Sequence, residues 1–160
     1  MTDKAKQSLA WAAAAVWMVV IFLLSAQTNK ESGDLSGGIV RWVVALFYRN
    51  FEAFSLEKQE SVLEVWHLLI RKGAHFTEYA VLCVLVANAL RLCRKLHWYL
   101  PVAISAAYAV TDEIHQYFVP GRACRLLDMG IDTCGAIFGM VVFALCAYVI
   151  KKIKSRGVMK

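Results

Sequence analysis

Residues 7–29 read QSLAWAAAAVWMVVIFLLSAQTN, 23 positions without a charge. A helix needs about 20 predominantly apolar residues to cross a bilayer, so this run spans unaided and sets the fold class. Its apolar core, residues 9–26, is 18 residues long, beyond the roughly 7–15 of a signal-peptide core, and reads as a retained helix. Further uncharged runs at 79–90, 96–111 and 133–150 have 12, 16 and 18 residues. The last nearly spans. The other two reach spanning length only by drawing neighbouring ionisable groups into the apolar layer. The chain of 160 residues is 59% hydrophobic, above the roughly 45–50% of soluble domains. With two prolines and nine glycines and no polar tract, it is not collagen-like, disordered or of low complexity. The expectation is an all-α polytopic membrane protein with four transmembrane helices, forming one domain over residues 1–160 without an internal repeat.

The net charge of +6 is distributed as a topology signal. Lys4 and Lys6 precede the first run, Arg91, Arg94 and Lys95 fill the connection after the second, and Lys151, Lys152, Lys154, Arg156 and Lys160 follow the fourth. Only Asp3 opposes them, whereas residues 30–72 balance six basic side chains with six acids. Under the positive-inside rule both termini are cytoplasmic and the long loop is outside. The basic excess reads as attraction to anionic lipid, and nucleic acid is not an expected partner. Five cysteines, at 83, 93, 124, 134 and 146, form no CxxC pair and suggest neither a zinc ribbon nor a complete disulfide framework. Cys83, Cys134 and Cys146 read as small packing residues, and Cys124 as the thiol whose exposure matters.

In the outer loop, Ile39 to Tyr48 is apolar except for Arg41, too short to span, and contains Trp42 and Tyr48, residue types that settle at the membrane interface. Val62, Val65, Trp66 and Leu69 then repeat at i, i+3, i+4, i+7, an amphipathic helix with Ser55 as its N-cap. That helix either continues into the second span or breaks near Gly73. Both loop segments are expected at the interface, resting on lipid or on the bundle. Gly135 and Gly139 make a GxxxG spacing that suits an internal helix contact or a homodimer face alike.

The ionisable residues drawn inward are the functional signal. Extending the second span takes in Arg71, Lys72, His75 and Glu78; the third takes in Asp112, Glu113 and His115, with Gln116 beside them; the fourth takes in Asp132, with Asp128 one turn earlier. All lie towards the same leaflet. Arg71, His75 and Glu78 share one helix face, Asp112, His115 and Gln116 another, and Asp128 and Asp132 a third, at spacings of three, four or seven. Charges near the centre of a membrane helix cost about 2.5–3.5 kcal/mol each, so these faces should converge on one pocket, with Ser25 and Gln27 completing its wall. Taken singly, each has a plainer reading: Arg71 and Glu78 as a neutralising pair, Arg122 and Arg125 as headgroup anchors, Asp128 and Asp132 as helix caps. His67 and His97 lie outside the cluster and read as idle.

In order along the chain, Arg71-Lys72-Gly73-Ala74-His75-Phe76-Thr77-Glu78-Tyr79-Ala80, Asp112-Glu113-Ile114-His115-Gln116, Val119-Pro120-Gly121-Arg122 and Asp128-Met129-Gly130-Ile131-Asp132-Thr133-Cys134-Gly135 with Gly139 resemble the VanZ family of bacterial membrane proteins. Ser25-Ala26-Gln27 with Ser32 and Ser36 resembles that family's serine-rich exit from its first span. Cys124-Arg125 stands where many relatives have small polar residues. The family is named for a protein associated with resistance to the glycopeptide antibiotic teicoplanin. The resemblance therefore implies a multi-pass envelope protein of the bacterial plasma membrane that influences glycopeptide susceptibility.

Residue chemistry suggests a site acting on a lipid or lipid-linked cell-wall precursor. His75 or His115 would be general acid or base, with Glu78, Asp112 or Glu113 as the orienting or proton-accepting carboxylate. Arg71, Lys72, Arg122 and Arg125 would hold an anionic headgroup, and Ser25, Gln27, Gln116, Asp128 and Asp132 would line the pocket. The same carboxylates and imidazoles suit a divalent cation, although no HExxH signature is present. The alternative is a non-catalytic binder or transporter of an envelope ligand, lipid or ion.

Overall fold

The computed structural model describes residues 2–27, 29–120 and 125–157, with the side chains of 29–35 and 157 left aside. Five α-helices follow one another: α1 (Asp3–Ser25), α2 (Asn29–Phe47), α3 (Leu56–Leu92), α4 (Leu100–Tyr117) and α5 (Leu126–Gly157). No strand occurs among the described residues. α1, α3 and α5 are long and apolar enough to cross a membrane. α4 has 18 residues and carries Asp112, Glu113, His115 and Gln116 in its last turns, which places it outside that set.

Local chemistry accounts for the helix ends. The Thr2 hydroxyl accepts the Ala5 amide at the start of α1, with Asp3 in its first turn, a favourable place for an anion. Pro101 occupies the first turn of α4, where its missing amide costs nothing. α3 closes with Arg94 in the left-handed region, φ 56°. There the amides of Arg94 and Lys95 turn back to the carbonyls of Arg91 and Leu90, the paired bonds of a Schellman end. Ser55 does occupy the N-cap of α3, but without a side-chain capping bond.

The amphipathic segment and the second uncharged run are one helix. α3 is 37 residues long, about 55 Å, and passes Gly73 unbroken. No atom lies within 4 Å of where a Cβ at Gly73 would stand, and an isolated glycine costs a helix only about 1 kcal/mol. α2 packs along the first half of α3. Val40 and Val44 are buried between them, Phe47 stacks on Trp66 with centroids 5.4 Å apart, and Ser36 Oγ lies 3.1 Å from His67 Nδ1. His67, expected to be idle, thus ties two helices together.

α3 is the hub, packed against α5, α1, α2 and α4. An aliphatic core of Ala14, Ile21, Leu82, Val86, Leu90 and Ala109 fills the half of the bundle near the α3–α4 connection. The contact of α3 with α5 is a glycine seam. A Cβ at Gly135 would run into the Phe76 carbonyl, and one at Gly139 into that of Ala80. The GxxxG spacing is therefore spent on an internal contact.

The surface inverts the usual partition. Trp42, Val16, Leu23, Ile114, Phe118 and Leu145 are exposed, while Asp112, Glu113 and Asp132 are 2%, 1% and 0% exposed. Soluble proteins rarely bury three carboxylates while exposing so many large apolar side chains. Cys83 is buried, as a packing residue should be, but Cys134 and Cys146 lie on the outside of α5, where an apolar surround accepts them equally well. Cys124 lies outside the described residues.

Candidate functional site

α4 places its polar groups by period alone. Pro101, Ser105, Ala109, Asp112, Glu113 and Gln116 form one buried stripe, at the three- and four-residue steps of a single face. The opposite face shows Val110, Ile114, Tyr117 and Phe118. The acids thus face α1, α3 and α5.

Asp112 is held from two sides. Ser25 Oγ, the last residue of α1, donates to its Oδ2 at 2.8 Å, and Gln116 Nε2 donates to the same oxygen at 3.0 Å. Its Oδ1 is buried without a hydrogen bond among the described residues. Glu113 Oε2 accepts the Arg125 backbone amide at 2.9 Å, which ties α4 to the segment entering α5. His115 lies to one side, stacked on Phe22 with centroids 4.1 Å apart. Gln27, half-buried, stands just past the end of α1.

The second group lies between α3 and α5, and the glycine seam creates it. Gly135 meets Phe76, so Asp132, one turn before that glycine, faces His75, the residue before that phenylalanine. His75 Nδ1 is 3.9 Å from Asp132 Oδ1 and 3.7 Å from Glu78 Oε2. These are ion-pair distances for a protonated imidazole, longer than hydrogen bonds. Asp132 has no exposure, and neither of its oxygens accepts a hydrogen bond among the described residues. Lys72 makes an ion pair with Asp128, both about one-quarter exposed, at 27% and 28%. Arg71 is half-buried on the same helix.

Two of these contacts run between α3 and α5, Lys72 to Asp128 and His75 to Asp132, while His75 and Glu78 meet within α3. Arg122 lies outside the described residues, and Arg125 is exposed at the start of α5. Among the described residues no three His, Cys, Asp or Glu side chains are placed to hold a metal ion together.

Three neighbours escaped the sequence reading. Tyr79, fully buried, puts its hydroxyl within electrostatic reach of Asp112 and Asp132, with no hydrogen-bond partner among the described residues. As the first residue of an uncharged run it reads as core. Its signal is a hydroxyl immediately after Glu78, on the inward face. Trp17 of α1 donates Nε1–H to the Glu78 carbonyl at 2.9 Å, and the Tyr108 hydroxyl donates to the Met18 carbonyl at 2.6 Å. Both pin α1 beside the site from an otherwise aliphatic stretch.

An inside-out helical bundle of this kind, with apolar helices outside and carboxylates from separate helices within, is that of a membrane protein. The family model for VanZ/LLP1 matches residues 10–147, most of the chain, and the protein belongs to that family. Neither the curated proteins nor the solved structures compared with the chain gave a match.

Proposed function

We propose that this is a four-span protein of the bacterial plasma membrane with both termini in the cytoplasm, and that its buried polar site binds and transforms a lipid or lipid-linked headgroup from the outer leaflet. In this reading α4 is the remaining span. Its inward stripe is polar because it is the site, and its outward face of Val110, Ile114, Tyr117 and Phe118 meets lipid. The basic residues near both termini and in the α3–α4 connection support that orientation.

The observation that carries the proposal is His75 set between the carboxylates of Glu78 and Asp132. An imidazole flanked by carboxylates can accept a proton, hold it and return it, the requirement of general acid–base chemistry near neutral pH. Lys72, Arg71 and Arg125 supply positive charge at the rim for a phosphate or carboxylate. Ser25 and Gln116 orient Asp112 and leave its other oxygen for a substrate hydroxyl or water. Altered turnover of an envelope headgroup would account for an effect on glycopeptide susceptibility.

The test compares His75→Gln and Glu113→Gln with wild-type and deletion cells, after confirming equal amounts of folded protein. Lipid and cell-wall precursor profiles in both variants should match the deletion. Profiles identical to wild type in both variants would remove the proposal. Asp132, buried with neither oxygen hydrogen-bonded among the described residues, favours one second reading, a carrier that moves protons or a ligand along the same groups. Purified protein in liposomes separates the two: flux without chemical change supports the carrier, and headgroup turnover without flux supports the enzyme.

A further inference from the structure

A second polar feature lies away from the acid cluster, where the end of α2, the turn at residues 48–54 and α3 enclose a groove of about 880 Å³. That is within the roughly 300–1,000 Å³ of small-ligand pockets. Arg41 and Arg49 both line it, with Tyr48 and Asn50. Neither guanidinium has an ion-pair partner among the described residues, although Glu52 lines the same groove. Two uncommitted guanidiniums facing one cavity make an anion site, because each offers a planar fork that matches two phosphate oxygens.

The rest of the lining narrows the ligand. Tyr48 and Phe51 both pack edge-on to Phe54, with centroids 6.1 and 6.2 Å away, which fixes an aromatic wall. Asn50 and Glu52 add hydrogen-bonding groups suited to hydroxyls. An anion with one phosphate and a hydroxylated body satisfies all of these.

We infer that this groove binds a phosphate–polyol headgroup, held by Arg41 and Arg49 at the phosphate and by Asn50 and Glu52 at its hydroxyls. Leu63, on the α3 side of the groove, is 12 residues before His75, about 18 Å along the helix. The site is therefore separate from the acid cluster and does not rest on any reaction there. The same headgroup chemistry is presented by phosphatidylglycerol in a leaflet and by free glycerol phosphate.

The experiment uses the full chain reconstituted in nanodiscs of mixed phosphatidylglycerol and phosphatidylcholine, with retained lipid counted by native mass spectrometry. Wild type should retain phosphatidylglycerol preferentially. The double variant Arg41→Gln/Arg49→Gln should lose that preference by about tenfold or more, as two charge-assisted contacts imply. Both arginines are exposed, so the variant is expected to fold, which its melting temperature checks. Lys4→Gln/Lys6→Gln should retain the preference, which separates this groove from a general loss of positive charge. Displacement of the lipid by glycerol phosphate would assign recognition to the headgroup alone. Arginine-dependent retention that glycerol phosphate does not displace would assign it to the intact lipid. Either result supports the site. Equal retention in wild type and the arginine variant, or an equal loss in the Lys4/Lys6 variant, would overturn it.

Discussion

α3 passes through two environments that differ in nearly everything but backbone. Around Leu82, Val86 and Leu90 it packs into an aliphatic core with Ala14, Ile21 and Ala109. Around Lys72, His75 and Glu78, against α5, the packing groups are carboxylates, an imidazole and an ammonium. Burying aliphatic side chains stabilises a bundle by close packing. Burying carboxylates with incomplete hydrogen bonding does the reverse. The apolar half therefore holds the fold, and the polar half is held by it. The glycine seam joins the halves, since Gly139 meets Ala80 at their border and Gly135 meets Phe76 inside the polar half.

The largest effect should come from the seam. Gly139→Leu drives a branched side chain into the Ala80 backbone of α3, where no flexible group can yield. We expect loss of folded, monodisperse protein on size-exclusion chromatography in detergent. Recovery of a folded variant with an unchanged melting temperature would mean that the α3–α5 approach is looser than described. Next comes Leu82→Ala in the aliphatic half. Leu82 has no exposure, so truncation should cost about 2–5 kcal/mol, the usual range for a buried leucine, seen as a lowered melting temperature. Lipid and precursor profiles should stay those of wild type once expression is matched. A changed profile at matched abundance would show that the two halves are not separable.

Much of this division was legible beforehand. The uncharged run at 7–29 anticipates α1, and the four-residue spacing of Asp112 and Gln116 anticipates an inward face of α4, although His115, expected on that face, lies to one side and Glu113 is buried there instead. Spacing fixes which residues share a face of one helix, but not how that helix is rotated against another. The pairing of Lys72 with Asp128, and of His75 with Asp132, depends on the glycine seam and could not be read from either segment alone. Nor could the continuity of α3 through Gly73. A solvent-facing glycine permits a helix or a break, and long-range packing of α2 and α5 against both ends decides between them. Tyr79 was hidden for another reason: apolarity scales count its ring and overlook its hydroxyl.

The smallest expected change in stability is also the sharpest test of the comparison. Asp132→Asn keeps the volume and planar shape of a side chain with no exposure and leaves Gly135 against Phe76. If the carboxylate contributes to the fold through His75, 3.9 Å away, removing it should resemble breaking a buried ion pair, at about 3–5 kcal/mol. If instead Asp132 is kept for chemistry, its desolvation is a burden that the amide lightens, and the melting temperature should hold or rise. The second outcome is expected, because neither oxygen is hydrogen-bonded among the described residues and the imidazole stands beyond hydrogen-bond distance. The envelope profile should nevertheless become that of the deletion. A variant that melts several kilocalories earlier and keeps a wild-type profile would turn the polar half into a structural element and erase the contrast with the aliphatic one.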